Sequence, residues 1–178
     1  MENYNYDEFS SNTYNLDDFR GPEVGTKAED FSLSDLNNEN VQLLDFSGKF
    51  LVLELGSITC PLFQGRREGM SDLVDQFPSV SFSVLYFREA HPGGNFPSHK
   101  SLDEKIGCAQ QLKSTDEERR NIIIDDINGT AHLSYGGYPN AIFIIDKNRY
   151  VAFRSDWNNV SATKTALINL LDGKPVDT

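Results

Sequence analysis

Cys60 stands where an apolar stretch gives way to a short polar turn, in the segment LVLELGSITCPLFQG of residues 51–65. Pro61 follows it at once, and proline is favoured at the first position of a helix. A cysteine at a helix N-terminus lies near the positive end of the helix dipole and near free N–H groups, which favour the thiolate. We therefore expect Cys60 to be an accessible nucleophile with a lowered pKa, rather than a buried and inert cysteine.

Glu89 and His91 lie in a second polar segment, REAHPGGNFPSHK, which follows the next apolar stretch. They are two residues apart, so in an extended chain their side chains project to the same side. A histidine held by a carboxylate is suited to proton transfer near neutral pH. We predict that this pair faces the same cleft as Cys60, with His99 and His132 as weaker candidates.

Cys108 is the second of only two cysteines, which are too few for a disulfide scaffold or a four-thiolate zinc site. It is a candidate resolving thiol for Cys60, and the alternative is a half-buried spectator. A disulfide would require the two Cα atoms to come within about 7 Å. Because the helix of Cys108 has apolar anchors, we expect no such disulfide. No metal is expected, since ligand residue types do not recur at helix or hairpin spacing.

The elements that position these residues alternate between strand and helix along the chain. Right-handed crossovers would place the first two strands side by side and parallel, with an antiparallel hairpin at the sheet edge. We therefore predict an α/β, thioredoxin-like fold with a central mixed β-sheet flanked by helices. The predicted strands span residues 50–55, 79–87, 121–127, 141–146 and 150–156, and the predicted helices span 61–77, 101–114 and 162–171, after a small hairpin that begins near residue 24.

Residues 1–20 carry five acids and five aromatics without periodicity, and we interpret them as an acidic, aromatic N-terminal extension. The aromatics favour an extension that docks its rings on the domain over a disordered tail. The remaining residues, 21–178, are long enough for one domain with a substantial core.

The net charge of −11, from 27 acidic and 16 basic residues, argues against nucleic acid as a partner. We find no signal-like segment and no run of eighteen apolar residues, so no membrane association is expected. These features predict a soluble, cytoplasmic protein.

Four segments, taken together and in this order, resemble the iodothyronine deiodinases across residues 48–155: VLELGSITCPLFQG, VLYFREAHPGGNF, SHKSLDEKIGCAQQL and YGGYPNAIFII. In that family the position of Cys60 usually holds selenocysteine. The resemblance implies a reductive dehalogenase in which Cys60 attacks iodine on a small aromatic halogenated substrate. It implies that His91 is the proton donor, with Glu89 beside it.

The resemblance also implies an external thiol as electron donor, no bound cofactor, and a homodimer. Thioredoxin-like domains usually carry a cis-proline facing the redox cysteine, and Pro139 occupies that place. The other family positions are Thr59 beside the nucleophile and, as substrate contacts, His99, Ser57, Pro139 and Phe63.

Two alternatives stay open. The segment VGTKAEDFSLSDL, together with Ser57 and Cys60, also resembles peroxiredoxins, which indicates a thiol peroxidase that takes peroxide as substrate. The other alternative is a redox-inert binding module that uses the aromatic extension to hold a partner.

The sequence also departs from the deiodinase pattern at two positions. Asn140 and Trp157 stand where the deiodinases carry an acidic and a basic residue that contact the substrate.

Overall fold

The computed structural model describes residues 4–14, 16–115 and 118–176, and these residues include seven strands and five α-helices. The strands are β1 (Ser32–Ser34), β2 (Asn40–Gln42), β3 (Phe50–Gly56), β4 (Ser81–Tyr86), β5 (Asn121–Ile124), β6 (Ile142–Asp146) and β7 (Val151–Ser155). The helices are α1 (Pro61–Gln64), α2 (Arg67–Gln76), α3 (Leu102–Lys113), α4 (Thr130–Ser134) and α5 (Val160–Leu171). None of the helices in the described part of the chain has the length and apolarity that a bilayer crossing requires.

The strands form one mixed sheet in the order β2-β1-β5-β4-β3-β6-β7. The central strands β3, β4 and β5 are parallel, and the others pair antiparallel. Gly56, the last residue of β3, pairs with Tyr86, the last residue of β4. The carboxyl ends of these two strands therefore meet at one edge of the sheet, as predicted, and the segments after them are neighbours.

Strand β3 is buried on both faces, as its nearly continuous apolar sequence predicts. Leu51, Leu53 and Leu55 pack into the cluster that includes α4. Val52 points the other way, into the cluster that includes α2 and α5. Glu54 is also buried on this strand, at 1% exposure, and such a carboxylate needs partners within the protein.

The predicted helix over residues 61–77 is interrupted, since α1 ends at Gln64 and α2 begins at Arg67. Arg66, between them, donates from Nη1 to Oδ1 of Asn140 (2.7 Å). Gly65, the other residue between the helices, has a low helix propensity. The break between α1 and α2 thus lies at Gly65, a weak helix former, and at Arg66, whose side chain is held by the distant Asn140.

The peptide bond before Pro139 is trans, so the expected cis-proline is wrong. The trans isomer of an X–Pro bond is favoured by about 0.5–1 kcal/mol unless the surroundings impose the other. Here the carbonyl of Tyr138 accepts a hydrogen bond from Nε2 of His132 (2.9 Å), and the loop is held with the trans bond in place.

The N-terminal extension lies against the domain through three tyrosines. The guanidinium of Arg88 lies 4.6, 4.8 and 4.9 Å from the ring centroids of Tyr4, Tyr6 and Tyr14, respectively. The hydroxyl of Tyr6 also donates to the carbonyl of Ala90 (2.7 Å). Cation–π contacts with a buried guanidinium are stronger than exposed ones, so these rings anchor the extension to the segment after β4.

His132 is fully buried on α4 and serves the packing of this extension. The hydroxyl of Tyr4 donates to its Nδ1 (2.9 Å), and the ring of Phe87 stacks on it at 3.9 Å. Burial, together with the smaller effect of the charges of Arg88 and Lys105, lowers the pKa of His132 to about 3. The imidazole is therefore neutral in the folded protein throughout the neutral range.

The neutral state of His132 predicts a loss of stability in mild acid. As the pH falls below about 6.5, the unfolded chain protonates this histidine while the folded chain does not, so unfolding becomes easier. The free energy of unfolding of the wild type should therefore fall by up to about 1.4 kcal/mol per pH unit more than that of His132→Gln. Urea unfolding between pH 7 and pH 4 measures both slopes. Equal slopes of the free energy of unfolding against pH in the two proteins would show that folding does not lower the pKa of His132.

Candidate active site

Cys60 lies at the N-terminus of α1, after the turn that follows β3. Its backbone N–H donates to the carbonyl of Ser57 (3.1 Å), which closes the turn, and Pro61 is the first helical residue. Gly56 is needed here because a Cβ at this position would overlap the ring of Phe63. The predicted position of the thiol, at a helix start on the carboxyl edge of the parallel strands, is confirmed.

The Cys60 thiol is buried, at 3% exposure, so the expectation of an accessible thiol with a lowered pKa is wrong. Burial raises the pKa of the Cys60 thiol above its usual value, and the charge of Glu54 raises it further. The N–H groups of Phe63 and Leu62 and the charge of Arg66 lower the pKa without offsetting burial. The helix N-terminus thus favours the thiolate, but the removal of water outweighs it.

A cavity of about 250 Å³ lies beside Cys60, and its walls are almost entirely apolar. Its lining from the domain includes Cys60, Leu62, Ala90, His91, Pro139 and Trp157. The extension supplies the rest of the wall through Phe9, Tyr14 and Leu16. These three were not predicted as site residues, although the aromatic richness of residues 1–20 was the available signal.

His91 is exposed and lines this cavity. Its ring lies on that of Phe9, with centroids 4.1 Å apart, and its backbone N–H donates to Oγ1 of Thr59 (3.1 Å). The structure therefore brings His91 and Cys60 to one cavity, as predicted. It does not pair His91 with Glu89, because the chain bends after β4 and the Glu89 side chain is buried.

The buried carboxylate of Glu89 instead joins three segments behind the Cys60 turn. Its Oε2 accepts hydrogen bonds from the backbone N–H and the hydroxyl of Thr59, at 3.2 and 2.6 Å. Its Oε1 accepts from the hydroxyl of Tyr86 and lies 3.1 Å from Nε2 of His99. The histidine beside the carboxylate is thus His99, not His91.

Three of the predicted substrate contacts lie outside the cavity lining, and only Pro139 belongs to it. Ser57 is buried, and its Oγ accepts from the N–H of Ala90 (3.1 Å). Phe63 is fully buried in the core, and His99 is buried at 2% exposure. These side chains support the turn and the loop around the cavity.

A buried charge network surrounds Glu54. Its carboxylate forms an ion pair with Arg120, which also pairs with Glu118 (2.7 Å). Its Oε1 accepts from the side-chain amides of Asn140 and Asn158, at 2.7 and 2.6 Å. Buried ion pairs are tolerated when hydrogen bonds satisfy their remaining atoms, and both oxygens of Glu54 have partners. Asn140 is therefore a structural residue rather than part of the cavity.

Cys108 is buried on α3, where its Sγ, a ring nitrogen of His99 and a carboxylate oxygen of Glu89 lie within 4.8 Å of one another. Both cysteines are free thiols. Burial raises the pKa of Cys108 to about 11, and the charge of Glu89 contributes to this rise. At neutral pH Cys108 is therefore protonated, which disfavours attack on an oxidised sulfur at Cys60.

A larger and more polar concavity, of about 780 Å³, lies near the amino ends of β4 and β5. Its lining includes Ser81, Lys113 and Asn121 but no cysteine or histidine. We therefore assign the chemistry to the smaller cavity, which holds both Cys60 and His91.

Residues 6–158 match the family model of iodothyronine deiodinase. The thyroxine 5-deiodinase of Ovis aries is 29% identical over 119 residues, which cover 60% of this chain and 40% of that protein. The thyroxine 5-deiodinase of Gallus gallus is 26% identical over 147 residues, which cover 75% of this chain and 57% of that protein. The chain thus spans about half the length of the curated relatives it matches.

Solved structures of similar architecture include a putative thiol:disulfide interchange protein DsbE from Chlorobium tepidum, with a TM-score of 0.66 and 19% identity, covering 85% of this chain and 99% of that one. A secreted Mycobacterium tuberculosis disulfide oxidoreductase has a TM-score of 0.60 and 14% identity, covering 78% of this chain and 94% of that one. At these identities the likeness concerns the fold, and it confirms the predicted thioredoxin-like architecture.

The cover that the extension places over the cavity predicts slow alkylation of Cys60. In the double variant Phe9→Ala/Leu16→Ala, iodoacetamide near pH 7 should modify Cys60 several-fold faster than in the wild type. The reason is that water gains access to the sulfur and lowers the free energy needed to form the thiolate. Mass spectrometry of the Cys60 peptide measures the rate. The matched control, Tyr150→Ala/Leu133→Ala, removes an exposed aromatic and an exposed leucine that do not line the cavity.

Cys108 is an internal control in the same samples, since it does not line the cavity that Phe9 and Leu16 cover. A Cys60 rate that is unchanged in the double variant, or a rise equally large at Cys108, would show that the extension does not shield this thiol.

Proposed function

Because this chain belongs to the iodothyronine deiodinase family, we propose that it is a thiol-dependent oxidoreductase in which Cys60 removes iodine from a small halogenated phenol. The observation that carries the proposal is that the thiol of Cys60, a nucleophile, and the imidazole of His91, a group that titrates near neutral pH in general, line one apolar cavity. A soluble thiol serves as the electron donor.

The cavity supports an aromatic substrate over a peroxide. A space of about 250 Å³ accommodates a single substituted ring, and the side chains of Phe9, Tyr14 and Trp157 offer it apolar and aromatic surface. Hydrogen peroxide consists of polar atoms that need hydrogen-bonding partners, which this lining provides poorly.

The proposed reaction balances with two equivalents of external thiol. The sulfur of Cys60 bonds to iodine as the carbon–iodine bond breaks, and the ring carbon keeps that electron pair and takes a proton. A first external thiol then displaces iodide from the sulfenyl iodide and forms a mixed disulfide with Cys60. A second thiol releases Cys60 and leaves as a disulfide. In sum, the aryl iodide and two thiols become an aryl hydrogen, a disulfide, iodide and one proton released to solvent.

His91 is suited to move the proton that this reaction requires. The thiol of Cys60 is protonated at neutral pH because burial raises its pKa. An imidazole in the same cavity accepts that proton as the sulfur attacks and delivers it to the ring carbon. Thr59, held by Glu89, positions His91 by accepting its backbone N–H (3.1 Å).

Removal of the nucleophile distinguishes the proposed reaction from peroxide reduction. With dithiothreitol supplied, the wild type should release iodide from 3,5-diiodophenol or a similar iodinated phenol, and Cys60→Ser should release none. Iodide release and peroxide consumption are measured in the same preparation. Peroxide consumption that depends on Cys60, without iodide release, would favour a thiol peroxidase, and the absence of both would favour a binding module.

The proposed role of His91 predicts an effect on turnover rather than on binding. His91→Phe keeps an aromatic ring against Phe9 but cannot transfer a proton, so kcat should fall on the order of 10²–10⁴-fold while KM changes little. Steady-state iodide release measures both constants, and Phe9→Tyr, which keeps the stacked ring and His91, is the control. A change confined to KM would assign His91 to substrate binding instead.

A further inference from the structure

Glu89, His99 and Cys108 bring three different types of metal ligand to one buried point. One ligand atom from each lies within 4.8 Å of the others, and all three residues are buried. Glu89 follows β4, His99 precedes α3, and Cys108 lies within α3. Of these three, Cys108 takes no part in the proposed reaction.

His99 is the member of this cluster whose polar atoms lack partners. Its side chain is 1% exposed, and neither ring nitrogen has a hydrogen-bond partner among the residues that the structure describes. Its Nε2 lies 3.1 Å from Oε1 of Glu89, yet the contact does not have hydrogen-bond geometry. A buried polar group without a partner costs about 1–3 kcal/mol, so a ligand that satisfied this imidazole would be stabilising.

We propose that Glu89, His99 and Cys108 form a binding site for a thiophilic divalent cation, with Zn²⁺ as the ion that fits them best. Cysteine sulfur, histidine nitrogen and carboxylate oxygen are the protein ligands of zinc, at about 2.0–2.3 Å from the ion. Mg²⁺ and Ca²⁺ prefer sets of oxygen ligands, which this cluster does not offer.

The charges of the proposed site balance. A carboxylate and a thiolate neutralise the two positive charges of the ion, and the imidazole binds in its neutral form. The buried complex therefore carries no net charge, which avoids the large cost of an isolated buried ion. Binding releases the thiol proton of Cys108 to solvent.

The geometry of the proposed site is that of a tetrahedral zinc ion with one open position. Three protein ligands leave the fourth position for water. The three ligand atoms must move about 1 Å closer to one another to reach the ligand–zinc distances of such a site.

His99 also offers the ion a route from solvent. It lines a second cavity of about 250 Å³, together with Tyr4, Asn5, Lys100, Ile127 and Asn128. The loop that joins Glu89 to His99 contains Gly93 and Gly94 with positive φ, conformations that glycine adopts without strain. His99 is therefore the member of the cluster that connects it to this cavity.

Occupancy of the site should inhibit the enzyme, an expectation that rests on the proposed function. A carboxylate oxygen of Glu89 that binds the ion is drawn away from Tyr86 or Thr59, which it now holds at hydrogen-bond distance. Thr59 contacts the backbone of His91, so the shift reaches the cavity of Cys60. The ion would thus act as a reversible inhibitor without touching the nucleophile.

Metal binding to the reduced protein, residues 1–178, tests the site without reference to activity. One equivalent of Zn²⁺ should bind in competition with a chromophoric chelator, and Co²⁺ should give a near-ultraviolet thiolate-to-cobalt charge-transfer band. Cys108→Ser should lose the band and bind Zn²⁺ at least tenfold more weakly, whereas Cys60→Ser should keep both properties. Loss of the band in Cys60→Ser but not in Cys108→Ser, or no binding to the wild type, would overturn the proposal.

Cys108→Ala is a second variant without the Cys108 sulfur and should likewise lose the charge-transfer band. Circular dichroism and thermal unfolding show which of the variants keep the fold. His99→Gln, a ligand-deficient variant with a side chain of similar length, should also weaken Zn²⁺ binding at least tenfold. In the activity arm, Zn²⁺ should inhibit the wild type and spare Cys108→Ser, whose activity without metal should match the wild type. If neither protein is active, the proposed function fails, while the binding measurements still decide the metal site.

Discussion

The buried carboxylate of Glu89 is the constraint on which the geometry around Cys60 depends. A carboxylate at 2% exposure must find hydrogen bonds within the protein, and Glu89 obtains them from Thr59 and Tyr86. The hydroxyl of Tyr86 also accepts the N–H of Ile58 (3.3 Å). The turn that presents the thiol is therefore held from behind by the segment after β4, and loss of the Glu89 carboxylate would remove the acceptor of both the Thr59 and the Tyr86 hydroxyl.

The environment of the thiol reflects a conflict between two physical effects. The start of α1 favours the thiolate, whereas the aromatic extension and the nearby charge of Glu54 favour the thiol. The same apolar wall that raises the pKa of Cys60 also makes the cavity suitable for an apolar ring. The raised pKa of the thiol and the proposed preference for an aromatic substrate thus have a common origin in the docking of the extension. Arg88 anchors the extension through three tyrosine rings.

The sequence by itself determined the features that depend on local spacing. The apolar run before Gly56 predicts a strand buried on both faces, Pro61 predicts a helix start, and the turn at Lys147 and Asn148 predicts the antiparallel hairpin of β6 and β7. Each of these signals lies within a few residues of the element that it specifies. The position of Cys60 at the carboxyl edge of the sheet follows from the same local pattern together with the handedness of the crossovers.

The tertiary structure alone decided which distant groups meet. Whether His91 or His99 lies beside Glu89 depends on how the chain bends after β4, and spacing along the sequence favoured the wrong histidine. The meeting of His99 and Cys108 likewise joins a loop to a helix, so no local ligand spacing could have indicated the proposed metal site. The burial of Cys60 depends on an extension more than forty residues away in sequence. These outcomes arise from competition among long-range contacts for buried polar groups and apolar surface, which local patterns do not encode.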